Sequence, residues 1–324
     1  MQASLPVPRY PADYEFFVPR LLEQGGKTNS EWTHYFWWEI RNFGYQSPYV
    51  AEMFNLDWIL LDLLANRAQK PLHRFLGATK DWASVYKGGG SVLLRDEALL
   101  DDLLRFKSEG FKITKFKIGG NGNDWSADVR RLEKARLALG DDFGIAVDAN
   151  QAWDADTAFE FAKAAAPYNV EWFEEPVHAF DMEALRSLRD QMDNAGISME
   201  IAMGESVRSY HAHVDYAEHG VDHLQPARLY CLAEIMRVRD YAHQHNCRIS
   251  TGGFPFINAA LGALYSENEL LEFHQPLNEV LIPYFKVVSQ IKDGRFYLPD
   301  IPGIPVQLDF DHLETDGLLR GIQY

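Results

Sequence analysis

From Trp82 onward, short β-branched and aromatic runs alternate with amphipathic stretches, and Gly, Asn or Asp marks most of the joins. The runs predict strands over Ala83–Tyr86, Ile113–Ile118, Gly144–Asn150, Glu171–Pro176, Met199–Glu205, His223–Pro226, Arg248–Thr251 and Leu270–His274. Between them, helical spacing predicts Glu97–Ser108, Ser126–Leu139, Ala155–Ala166, Met182–Asn194, His211–His219, Leu232–Gln244 and Asn258–Tyr265. Eight strands joined by short helical crossovers fit an α/β fold closed into a (β/α)8 TIM-type barrel. A doubly wound open sheet would more often carry a GxGxxG turn after its first strand. Gly88-Gly89-Gly90 stands there without that spacing.

The first 80 residues have another texture. Aromatic residues crowd at Trp32, Tyr35, Phe36, Trp37 and Trp38, and a helical pattern follows from about Tyr49 to Gln69. We expect a smaller capping domain over 1–80 and a barrel over 81–284. The strand-like tail 285–324, turn-rich with Pro299, Pro302 and Pro305, is expected to pack back on the cap. Core packing under the cap is the expectation for the aromatic cluster, with an interface as the alternative.

Composition narrows the partners. The chain has 324 residues, enough for one barrel of about 250 plus a cap. A formal net charge of -16, with no basic run as a local exception, argues against nucleic acid and anionic membranes. The N-terminus lacks a cationic region followed by an apolar one, and Trp58 to Leu64 is too short and too charged to span a bilayer. Cys231 and Cys247 show no metal-ligand spacing, so a cytoplasmic, reducing location is expected.

The chemistry is carried by strand ends. In Lys115-Phe116-Lys117, alternation puts both lysines on one face, and on a barrel strand that face looks inward. Asp148 and Asn150 end the next strand, Glu174 the one after, and Glu205 the one after that. The steps from 117 to 148, 148 to 174 and 174 to 205 are 31, 26 and 31 residues, each about one βα unit. Three acids at one barrel mouth repel one another unless protonated or bridged by a cation. All-oxygen ligands favour Mg2+ over Zn2+. Glu175 faces away from Glu174 on a strand, so only one of them can join the site.

Together these residues resemble the enolase superfamily, in particular its mandelate racemase-like and acid-sugar dehydratase members. KxK at Lys115 and Lys117, VDAN at Val147 to Asn150, FEEP at Phe173 to Pro176 and MGES at Met203 to Ser206 follow the family's motif order. The resemblance spans about Ala51 to Pro283. It implies a barrel with an α+β cap, Mg2+ held by Asp148, Glu174 and Glu205, Lys117 as base and Lys115 beside the carboxylate of a small substrate. It further implies Glu272 as a hydrogen-bonding acid, Asn150 as a substrate contact, and assembly into a homo-oligomer. Lys115 beside Lys117 is expected to lower the Lys117 pKa and so prepare a neutral amine.

Three departures matter. Ala227 and Gly252 stand where relatives often place an Asp and a His that form a second base, and neither can accept a proton. The cap lacks a recognisable β-meander and glycine-rich loop, and is expected to be truncated or divergent at its N-terminus. With one base, racemisation is disfavoured and elimination favoured, which makes an acid-sugar dehydratase the leading expectation. An epimerase or cycloisomerase, drawing a second acid from His274 or Lys87, is the alternative, and a lapsed metal-binding barrel is a third. His274 or Tyr230 could supply the acid of a dehydratase, although each has a structural reading too.

Overall fold

A computed structural model describes residues 11–318, apart from 45, 227–230, 275–277 and 288. Strands β1 (Trp82–Gly89), β2 (Ile113–Lys117), β3 (Gly144–Asp148), β4 (Val170–Glu174), β5 (Glu200–Met203), β6 (His223–Leu224), β7 (Arg248–Thr251) and β8 (Leu270–His274) run in parallel. They pair in sequence order, and β8 returns to β1, so the sheet closes into a barrel.

Side-chain alternation sorts each strand into two faces. On the outward face Phe116, Val147, Phe173, Leu271 and Phe273 join the large core beneath the surrounding helices. On the inward face Tyr86, Ala146, Trp172 and Ala202 fill the barrel, bulky beside small, with Tyr86 and Trp172 edge to face at 5.1 Å. This plug closes the barrel below the strand ends and leaves their inward polar residues nowhere to point but the mouth.

The helices follow the expected pattern, with shifts of a residue or so at most ends. The exception is the helix after β7, which runs Pro255–Gly262, three residues ahead of its predicted start. Pro255 occupies its first turn, where the missing N–H costs nothing.

Residues 11–75 are helical: α1 (Pro11–Gln24), α2 (Asn29–Ile40), α3 (Pro48–Arg67) and α4 (Leu72–Phe75). Thr28 and Glu31 cap α2 reciprocally. Trp32 and Phe36 stack at 5.3 Å within a second core that includes Phe17, Ile40, Val50 and Phe54. The aromatic cluster is thus mainly core, although Trp38 is exposed. The described strands of the tail pair with the barrel and with one another, Arg295–Tyr297 antiparallel with β1 and Phe285–Val287 with Gln307–Leu308, while the tail meets the cap where Asp62 of α3 accepts from the Ile304 N–H at 2.7 Å. Among the described residues no helix is long and apolar enough to cross a membrane. Both cysteines are free, Cys231 buried and Cys247 partly so.

Candidate active site

Register places the acids and bases side by side. Lys117 pairs with Asp148 across β2 and β3, and Asp148 with Glu174 across β3 and β4, so the three lie in one row at the mouth. Buried Lys115 is the hub below them. Its Nζ contacts Glu174 Oε1 and lies 3.2 Å from Asp148 Oδ2 and 3.1 Å from Glu272 Oε1. Lys117 Nζ donates to Asp148 Oδ2. Glu174 Oε2 also accepts from Gln225 Nε2 at 2.6 Å and from Trp172 Nε1 at 3.2 Å.

Glu205 stands on the rim, exposed, and its Oε1 accepts from Asn150 Nδ2 at 3.4 Å. Gly204 before it has φ +137°, and a Cβ there would lie 2.6 Å from His213 Nε2 and 2.7 Å from the Gln225 carbonyl oxygen. Only glycine lets the chain pass that close and still present Glu205 at the mouth. Asn150 and Glu175 also take left-handed backbone, at φ 43° and 41°, where the chain turns out of β3 and β4.

Four carboxyl groups here face two ammonium groups, and the charges divide accordingly. Burial disfavours an ionised Asp148, but Lys115 and Lys117 outweigh it and hold its carboxyl far below the usual range. Glu174 goes the other way, pushed well above that range by burial and then by the Asp148 charge. Glu205 is raised to about 7, first by desolvation where its carboxyl sits against the crowded mouth, and also by Asp148 and Glu175. Burial pulls both lysines down, yet the acids prevail: Glu174 chiefly raises Lys115, and Asp148 chiefly raises Lys117. The neutral Lys117 expected from its neighbour Lys115 is therefore not what this arrangement favours, because Asp148 touches Lys117 directly.

Every predicted site residue gathers at this mouth: Lys115, Lys117, Asp148, Asn150, Glu174, Glu205 and Glu272. As they stand, no three acid, imidazole or thiol groups among the described residues converge closely enough to hold an ion. The lysine ammonium groups lie between the carboxylates and provide the positive charge. The donor set nonetheless suits a hard cation, being all oxygen, drawn from three adjacent strand ends, and short of positive charge.

Lys87 does not join the site. It sits on the outward face of β1 under Phe106, Phe111 and Phe273 and pairs with Glu279 at 2.7 Å. The sequence reading offered it as a second acid; alternation along β1 turns it away. Ala227 and Tyr230 lie outside the described residues. Glu175 is buried and points from Glu174 toward Ser206 and Gln151, whose side chains donate to it at 2.6 and 3.1 Å. Trp172 and Gln225 are contacts that the sequence reading missed. Trp172 could have been found by alternation, two positions before Glu174, whereas nothing local marks Gln225.

Comparison with known proteins agrees with this geometry. Residues 98–312 match the family model described as enolase C-terminal domain-like. An L-talarate/galactarate dehydratase of Salmonella typhimurium is 29% identical over 82% of this chain and 65% of its own length, so the chain spans somewhat under two thirds of that relative. A 3,6-anhydro-alpha-L-galactonate cycloisomerase of Streptomyces coelicolor is 28% identical over 86% of this chain and 75% of its own. The crystal structure of L-talarate dehydratase from a Polaromonas species, complexed with Mg and L-glucarate, superposes with a TM-score of 0.81 at 26% identity, covering 96% of this chain and 80% of that one. With the motifs in order on successive strand ends and the matched span covering most of the barrel, the chain belongs to the enolase C-terminal domain-like family of the enolase superfamily.

Proposed function

We propose that this protein is a Mg2+-dependent dehydratase of an acid sugar, an aldonate or aldarate, forming a 2-keto-3-deoxy acid. The observation that carries this reading is the row of Lys117, Asp148 and Glu174 over the buried Lys115, beside a β7 end that holds Gly252. The dehydratase relatives and the Mg-bound neighbour support it. Residues 1–80 with the tail 285–324 serve as the cap, and 81–284 as the catalytic barrel.

Asp148, Glu174 and Glu205 would hold the cation. Bound there, Mg2+ supplies Lewis-acid stabilisation of the second negative charge that develops on the substrate carboxylate. Lys115, fixed by Glu272, adds an ammonium on the same oxygens. Were Asp148 to hold that cation, its charge would no longer keep the proton on Lys117, and the nearby Lys115 ammonium would favour the neutral amine. Lys117 Nζ then takes the α-proton, the bond from the β-carbon to its hydroxyl breaks, water leaves, and the enol becomes a ketone. Asn150, at the same rim, holds a substrate hydroxyl.

The test is incubation with Mg2+ and a panel of acid sugars in D2O, beside Lys117→Ala, followed by mass spectrometry and proton NMR. Loss of one water with keto-acid signals, absent in the variant, is the expected result. Deuterium at the α-carbon with unchanged composition would replace this reading with epimerisation. An isomer of unchanged mass would favour cycloisomerisation, the activity named for the Streptomyces relative.

A further inference from the structure

We infer that His274 is the catalytic acid that protonates the departing β-hydroxyl. This rests on the dehydratase reading and adds the group that reading lacks. His274 ends β8 on the same face as Glu272, which looks into the barrel. It lines a cavity of about 510 Å³ together with Lys117, Asn150 and Ser91. Among the described residues lining that cavity, Lys117 and His274 are the two with titratable side chains.

The cavity joins them, with the Glu272 carboxyl at its inner side filling the place a Gly88 side chain would take. Gly88 of β1 pairs with Lys115 on one side and His274 on the other, so no β1 side chain separates β2 from β8 at this level. The imidazole Nδ1 is buried and makes no hydrogen bond among the described residues, so no described group there fixes the ring. Other sources fail on geometry or chemistry: Lys87 is turned outward, Gly252 carries no proton, and Asn150 is a neutral amide.

Burial holds the imidazole below its ordinary pKa. Glu272 on its own strand and Asp148 on β3 oppose this, and Lys115 and Lys117 on β2 reinforce it. An anionic substrate seated on those two lysines offsets their charge, so His274 gains its proton as substrate binds. In the step itself, Lys117 takes the α-proton and the α,β double bond forms. The β-carbon–oxygen bond breaks toward oxygen, and the imidazolium proton completes the leaving water.

The test compares His274→Asn with wild type on two probes: the acid sugar found in the panel, and its analogue with fluorine in place of the β-hydroxyl. Fluoride leaves without a proton, whereas hydroxide does not. Water loss is expected to fall about 10²- to 10⁴-fold in the variant, while fluoride loss continues and α-deuterium from D2O still enters the hydroxy acid. Unchanged water loss would overturn the inference. So would water and fluoride loss falling together, which is the mark of a structural role. Both of those outcomes leave the dehydratase reading standing. A wild-type protein that eliminates neither group overturns that reading, and this inference with it.

Discussion

Glu272 occupies the space that a side chain on Gly88 would fill: a Cβ on Gly88 would lie 2.2 Å from Glu272 Oε1. The missing side chain on β1 lets an acid from β8 reach Lys115 on β2, two strands away, at 3.1 Å. Gly252 borders the same carboxyl, since a Cβ there would be 3.0 Å from Oε2.

Gly88→Ala should therefore displace Glu272 without breaking the barrel. The backbone at Gly88 is extended, and the atom struck is the far end of a flexible side chain. We expect a melting temperature close to wild type and turnover down about 10²-fold, the scale of a misplacement near 1 Å. Wild-type turnover in this variant would show that the Glu272–Lys115 contact does not matter to catalysis.

Lys115→Met removes the cation on which Asp148, Glu174 and Glu272 converge. Breaking a buried pair from one side typically costs about 3–5 kcal/mol, and the loss here should sit at the low end because Glu174 already favours its protonated form. Urea denaturation without added metal measures it. A variant as stable as wild type would mean that the cluster reorganises freely.

The share of stability owed to Glu174, Glu200 and Glu205 should fall as pH rises from about 4.5 toward 7 in metal-free solution, against an opposing share from His213, His223 and His274, whose imidazoles burial holds below their ordinary pKa. A carboxyl whose folded pKa is raised keeps its proton after the unfolded chain has lost it, so the folded state loses ground through that window. Glu205 and Glu200, each raised to about 7 chiefly by burial, act in this sense, and so does Glu174. Asp148 acts oppositely. Its contribution is present above its ordinary value of 3.8 and is lost as pH falls toward its depressed folded value. Denaturation midpoints of wild type and Glu205→Gln in EDTA from about pH 4.5 to 8 check the sign: the variant should gain on wild type toward neutrality, and a constant difference would contradict the assignment.

Mg2+ binding should be linked to proton release. Glu205 must give up its proton to act as a ligand, so affinity should rise about tenfold per pH unit below about 7 for each proton released, and then level off. Calorimetry in two buffers of different ionisation enthalpy counts the protons. Binding that is independent of pH would remove Glu205 from the ligand set.

The barrel and most of its mouth were legible in the order of residues. Strand period and unit length are local properties, so alternation assigned Lys115, Asp148 and Glu174 to the inward face, and steps of one βα unit brought their strand ends together. The structure keeps β7, β8 and the helices Ser126–Leu139, Met182–Asn194 and Leu232–Gln244 within their predicted bounds.

Which groups touch depends on the folded arrangement. Glu272 reaches Lys115 because β8 closes on β1 at a glycine. Gln225 meets Glu174 because β6 ends beside β5. Lys117 keeps its proton because Asp148 lies in its own row, closer than Lys115 can counter. Each of these is set by register between strands far apart in the chain, and the charges depend on distance and burial, which spacing along a sequence does not carry.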